Sequence, residues 1–196
     1  MRIKYLVPLA SVLAVTALAS APALAQAQPH WYINNVRLAE GKPKAVKTGG
    51  QISFTNTATG VVVRCTVVDA EVLENPVGGG AGVDLMKAFK ITKCGPNPCP
   101  AKKSGTTQAP LVVTAGNLPW PTKLVEVPPI ADEISGMEIT FACKGTTISQ
   151  TYTGTLFPWV QLGDLEFDSP TTGTLGLLAV NGIDNFAPPT VTAKNP

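Results

Sequence analysis

Gly60-Val61-Val62-Val63-Arg64-Cys65-Thr66-Val67-Val68-Asp69 is the stretch that most narrows what this chain can become. It is dense in β-branched residues, which lose rotamer freedom in a helix and pack well on a pleated surface. With a period of two, Val61, Val63, Cys65 and Val67 share one face, while Arg64 and Thr66 take the other. That pattern predicts a core strand with a cysteine on its buried side, bounded by Gly60 and by an acidic turn at Asp69.

The rest of the chain repeats this grammar of short alternating runs separated by turns. Trp31–Ile33 and Val36–Leu38 flank Asn34-Asn35, a pair that tolerates left-handed turn geometry, and predict a hairpin. Gln51–Thr55, Val83–Ile91, Leu111–Val113, Met137–Cys143, Thr146–Tyr152, Leu156–Leu165 and Leu175–Val180 read as further strands. Leu118–Val127 is extended, with its prolines placing it at an edge or a bend. Ile130–Ser135 reads as one helical turn, with Asp132-Glu133 on it, and Lys93–Gln108 as a long loop. Eighteen prolines and eighteen glycines suit many turns. The expectation is an all-β sandwich or barrel of nine to eleven short antiparallel strands.

The chain's beginning bears on compartment. Arg2 and Lys4 precede an apolar run from Tyr5 to Leu18, and Ala23-Leu24-Ala25 supplies a small-x-small cleavage site. Residues 1–25 therefore read as a cleaved signal peptide. Residues 26–196 read as one β domain with 187–196 as a loose tail, secreted and with no stable membrane insertion after cleavage. Four cysteines in an exported chain predict two disulfides. Cys94 and Cys99 bracket a turn-rich Gly-Pro-Asn-Pro insert, and Cys65 and Cys143 both lie on apolar strand faces. Cys65–Cys143 with Cys94–Cys99 is the favoured pairing, the two other arrangements remaining open. In the chain-entropy account, the long bridge would contribute about 4.5 kcal/mol and the short one roughly 2. Zinc held by four thiolates would need paired CxxC-like spacing, which is absent.

Without Arg2 and Lys4, 13 basic residues face 13 acidic ones, so the precursor's basic pI gives no ground for nucleic-acid binding. Charge is unevenly spread: residues 26–103 carry 10 basic and 5 acidic side chains, and residues 104–196 carry 3 and 8. His30 is the one histidine, near a frayed end, so Ser–His and Cys–His nucleophilic sites and multi-histidine zinc sites lack a base or ligands. Gly78–Gly82 lacks the Gly-Lys-Ser/Thr ending of a phosphate loop and reads as a turn. Asp164, Glu166 and Asp168 alternate with Leu165 and Phe167, placing three carboxylates on one strand face where Ca²⁺ could bind. Trp31, Tyr32, Trp120 and Trp159 are the candidates for a sugar-stacking platform, with core packing as the plainer use of such rings.

Trp31-Tyr32-x-Asn34, Glu74-Asn75-Pro76-Val77-Gly78-Gly79 followed by Ala81-Gly82, and Asn117-Leu118-Pro119-Trp120-Pro121-Thr122-Lys123-Leu124 are distinctive. With the cysteine spacing and Gly154-Thr155-Leu156, this chain resembles a large group of small secreted proteins, mostly from high-GC Gram-positive bacteria. The resemblance covers most of the chain up to Phe157. It implies an exported β-rich domain and assigns no catalytic residue.

Two functional expectations follow. One is an exported non-catalytic module that binds a cell-envelope component, a polysaccharide or a protein partner. The other is a secreted carboxylate-dependent hydrolase such as a glycosidase, which needs two carboxylates roughly 5–9.5 Å apart in one cleft.

Overall fold

Polar turns cut the chain into fourteen strands among the residues described by the computed structural model, 28–102, 107–126 and 129–195. The predicted signal peptide and its cleavage site lie outside them. Asn34 and Asn35, with φ of 51° and 64°, turn β1 (His30–Ile33) into β2 (Val36–Arg37) as their sequence predicts. Asn56 closes the next turn: its Oδ1 accepts from the backbone N–H groups of Ala58 and Thr59, and Gly60 takes a φ of 71°. That turn joins β3 (Lys44–Asn56) to β4 (Val62–Glu74), which pair over their length. The remaining strands are β5 (Val83–Gly95), β6 (Leu111–Gly116), β7 (Trp120–Val125), β8 (Ala131–Cys143), β9 (Ser149–Leu156), β10 (Trp159–Val160), β11 (Asp164–Asp168), β12 (Thr174–Leu175), β13 (Leu178–Phe186) and β14 (Val191–Lys194). They outnumber the nine to eleven expected because three have only two residues each.

Eight strands close into a barrel in the order β10-β11-β13-β3-β4-β5-β7-β8, and Trp159 of β10 meets Ala131 of β8 at the seam. Both halves of the chain interleave, since β13 lies against β3. Closure demands a sharp bend, and glycines supply it. A Cβ on Gly50 would lie 1.9 Å from the Ile183 carbonyl oxygen, and one on Gly182 would lie 2.2 Å from that of Gln51. β8 starts in the barrel beside β7, shifts register between Ile134 and Met137, and continues outward between β6 and β9. A separate sheet, β14-β1-β2, covers one barrel end.

Inward phases make the core. On β4, Val63, Cys65, Val67, Asp69, Glu71 and Leu73 are all buried. Ile52, Phe54, Met86, Phe89, Trp120, Leu124, Ile134, Leu165 and Val180 join them from the surrounding strands.

Several expectations are corrected. Ile130–Ser135 is no helical turn: from Ala131 on it belongs to β8, and Asp132 is wholly buried. β5 extends to Gly95, taking up the start of the expected loop. Pro121 sits in a strand paired on both sides; it is tolerated because β8 begins its pairing only at Thr122. His30 is buried in β1 and not at a frayed end. Nor is the expected loose tail of 187–196 loose over its described part: Val191 and Thr192 are buried where β14 pairs β1, and 196 lies outside the described residues.

The disulfides are Cys65–Cys94 and Cys99–Cys143, not Cys65–Cys143 and Cys94–Cys99. Register explains the difference. β4 and β5 are neighbours, with Arg64 opposite Gly95 and Thr66 opposite Thr92, so Cys65 and Cys94 stand 4.1 Å apart at Cα. Cys143 ends the part of β8 that has left the barrel, where Cys99 and Ala109 pack on it. Each bridge closes a mid-sized loop worth about 4 kcal/mol in the chain-entropy account. Non-reducing peptide mapping should link Cys65 to Cys94 and Cys99 to Cys143; a Cys65–Cys143 peptide would overturn this register.

Candidate functional site

The predicted aromatic platform does not form. Trp31 and Trp120 are 0% exposed, Trp31 edge-on to Phe186 and Trp120 tilted against Phe89, so neither can stack on a sugar. Tyr32 is half-buried under Lys194, whose Nζ lies 5.5 Å from the ring centroid. Trp159 is half-buried at the barrel seam. These are packing and closure residues on different elements.

The sequence motifs around two of them have a structural purpose. The fully buried Asn75 amide accepts from the Trp31 N–H at 2.8 Å and donates to the carbonyls of Trp31 and Leu38 at 3.1 and 2.8 Å. Gly82 lies so close that a Cβ there would come within 2.7 Å of Trp31 and 2.9 Å of Leu124. The Trp-Tyr, Asn-Pro-Val-Gly and Pro-Trp-Pro-Thr-Lys-Leu segments thus meet at the covered end of the barrel.

At the opposite end, an apolar pocket of about 210 Å³ opens between the β3–β4 turn and the outer part of β8 and β9. Phe54, Phe141 and Tyr152 form its aromatic wall, each ring edge-on to the next at centroid distances of 5.5 and 5.8 Å. Val63, Leu111 and Leu178 add apolar lining, and Pro98 and Pro100 reach it on either side of Cys99. The Cys99–Cys143 bridge therefore holds that proline wall to β8. Asn56, Thr59 and Gln150 bring polar groups to the lining, and Asn56 Nδ2 donates to Tyr152 Oη at 2.7 Å. Val61 and Ile148 on the rim are 42% and 51% exposed. Its volume falls short of the roughly 300 Å³ at which drug-sized pockets begin, so it suits one ring or one branched side chain.

A second grouping lies inside the barrel. Asp69 and Glu71 from β4, Asp84 from β5, Asp132 from β8 and Asp184 from β13 are all buried. Thr48 of β3 donates to Asp69 through both its backbone N–H and its hydroxyl. Thr122 of β7 lies opposite Asp84 in register. Asp69 and Asp184 are within hydrogen-bond reach of each other, as are Asp84 and Asp132. Among the described residues the one salt bridge is Arg37–Glu40, so no cation is paired with this belt. Oxygens of Asp84, Asp132 and Asp184 also lack a donor unless one partner of each pair carries a proton.

The electrostatic result follows from burial. Desolvation, reinforced by neighbouring carboxylates, raises Glu71 and Asp84 well above the usual carboxylate range. Desolvation pushes Asp184 up to about 9 and Asp132 up to about 7, and it raises Asp69 as well. Within each pair a shared proton lets one carboxyl donate to the other, and burial favours that protonated form. The paired carboxyls stand within hydrogen-bond reach, closer than the roughly 5–9.5 Å that glycoside hydrolysis needs, and they lie in the interior rather than in a cleft.

Asp164, Glu166 and Asp168 do share the outer face of β11, with Leu165 and Phe167 inward. Gln161 donates to Glu166. Among the described residues no three His, Cys, Asp or Glu side chains come together in a way that could hold a metal ion.

Sequence reasoning missed the interior belt and the pocket. For β4 the signal was present, because the alternation Val63-Cys65-Val67 continues in phase through Asp69 and Glu71 to Leu73. For Asp132 there was none, since adjacent Asp-Glu ordinarily marks surface. Among the described residues no helix is long and apolar enough to cross a membrane. No family model, curated protein or solved structure matches this chain, so its chemistry is read from these residues alone.

Proposed function

We propose that the protein is an exported, non-catalytic binding module, one of the group of small secreted β-rich proteins it resembles, and that it seats an apolar side chain of a protein partner. The preformed pocket walled by Phe54, Phe141 and Tyr152 carries this reading. Its apolar rim at Val61 and Ile148 is what a contact surface needs around an anchor residue. Two disulfides agree with a life in an oxidising compartment. The hydrolase reading is disfavoured because the closely spaced carboxyls are enclosed by the barrel, where a polymeric substrate has no path to them.

N-acetylphenylalaninamide is a suitable probe of the pocket, followed by NMR. Saturable shifts are expected at Phe141, Ile148 and Tyr152. Ile148→Glu, at an exposed rim position, should weaken binding roughly tenfold, about 1.4 kcal/mol, without changing the melting temperature. Shifts that do not saturate, or that persist unchanged in Ile148→Glu, would refute the assignment.

A further inference from the structure

The inward carboxylates leave an imbalance outside. Of the five acidic residues between 26 and 103, Asp69, Glu71 and Asp84 point into the barrel. Glu40 is paired with Arg37, and Glu74 sits at the last position of β4. The outer face of β3, β4 and β5 consequently carries Lys47, Lys87 and Lys90, all exposed and without an ion pair among the described residues.

These lysines border a recessed surface. Lys47 lies opposite Ala70 on β4, and Ala70 lies opposite Ala88 on β5, so two strand spacings, about 10 Å, separate the flanking cations across an alanine floor. A depression of about 470 Å³ runs between Lys47 and Lys87 over Ala45, Ala70 and Val72, with Pro188 and Pro189 as its wall. Adjoining it at Lys87 is a second depression of about 370 Å³, lined by Lys90, Thr114 and Leu118. Ala45 and Ala70 keep the floor of the first low enough for a single extended chain, while Ile91, Val113 and Leu118 add apolar lining to the second. Val68 is the one large apolar side chain exposed on these three strands, which leaves little to insert into a lipid surface.

We propose that this lysine-lined trough across β3, β4 and β5 is a docking surface for a linear polyanion, a single polymer chain carrying repeated carboxylate or phosphate groups. Charge complementarity supplies the attraction, and the alanine floor admits the polymer backbone between the cations. The buried carboxyls weaken this attraction less than five free anions would, because burial favours their protonated forms. The trough shares no lining residue with the apolar pocket, so either can be disabled alone.

The test uses the purified chain with polygalacturonate as the carboxylate polymer, long-chain inorganic polyphosphate as the phosphate polymer and dextran as the neutral control. Saturable binding to one or both polyanions is expected at low salt, identifying the preferred group, with none to dextran. Binding should weaken roughly tenfold towards physiological salt as counterions compete. The triple variant Lys47→Glu, Lys87→Glu, Lys90→Glu should lose about tenfold more while keeping its melting temperature. A matched triple variant elsewhere, Lys123→Glu, Lys144→Glu, Lys194→Glu, should stay within about twofold of the parent. Equal losses in the two variants would reduce the effect to net charge and overturn the proposal. So would absence of binding to both polyanions, or tighter binding to duplex DNA or to phosphatidylglycerol vesicles.

Discussion

The melting temperature should fall as pH rises from about 4 to about 9, by roughly 5–10 °C per pH unit up to about 7 and by roughly half that above. In the unfolded chain the belt carboxyls titrate near 4. In the fold, burial raises Asp132 to about 7 and Asp184 to about 9, with Glu71, Asp84 and Asp69 shifted in the same direction. The folded chain therefore binds more protons than the unfolded chain throughout this window, and stability declines as pH increases. The contribution is complete below about 4 and is lost by about 7 for Asp132 and about 9 for Asp184. Two such groups account for about 2.7 kcal/mol per pH unit where both are still protonated in the fold, and the other three steepen the slope. Asp184→Asn keeps the shape and gives Asp69 a permanent donor, so it should flatten the upper part of the curve. Calorimetric melting across this range is the measurement. A flat or rising curve would show that the belt is ionised or compensated by a cation.

Asn75→Ala should cost about 3–6 kcal/mol and lower the melting temperature by roughly 10–20 °C. The substitution removes three hydrogen bonds and leaves the Trp31 N–H and the carbonyls of Trp31 and Leu38 short of a buried partner. Water cannot readily replace them, because Trp31, Leu124 and Gly82 pack around the site. Asp would fare no better, having no N–H to give the two carbonyls. Near-UV circular dichroism would report the loosening of Trp31 alongside the melt. A drop of less than about 3 °C would mean that Asn75 is incidental to that end of the barrel.

What could be read from the sequence was local. The Asn34-Asn35 turn and the alternation of β4 depend on neighbouring residues, and both appear in the structure. The disulfide pairing depended on which strands become neighbours, and cysteines on apolar faces do not reveal that. The belt was harder for an energetic reason. A carboxylate is costly to bury, so Asp69 read as the end of a strand and Asp132 as a turn. Their burial becomes tolerable only when partners from four strands arrive to share protons, and no window of sequence contains those partners together. The aromatic residues failed for the converse reason. Trp120 between two prolines reads equally well as a surface plate or a core plug, and only the position of Phe89 decides it.

The pairing of β1 with β14 brings His30 opposite Lys194 at the covered end of the barrel. The pocket lies at the far end of β3, eight residues beyond Val46, or about 25 Å along the strand. Anything joined to the chain before Gln28 or after Asn195 would leave from the same pole, side by side. A tether at either position would therefore hold the barrel upright, with the pocket turned away from the anchoring body and the lysine face along its flank.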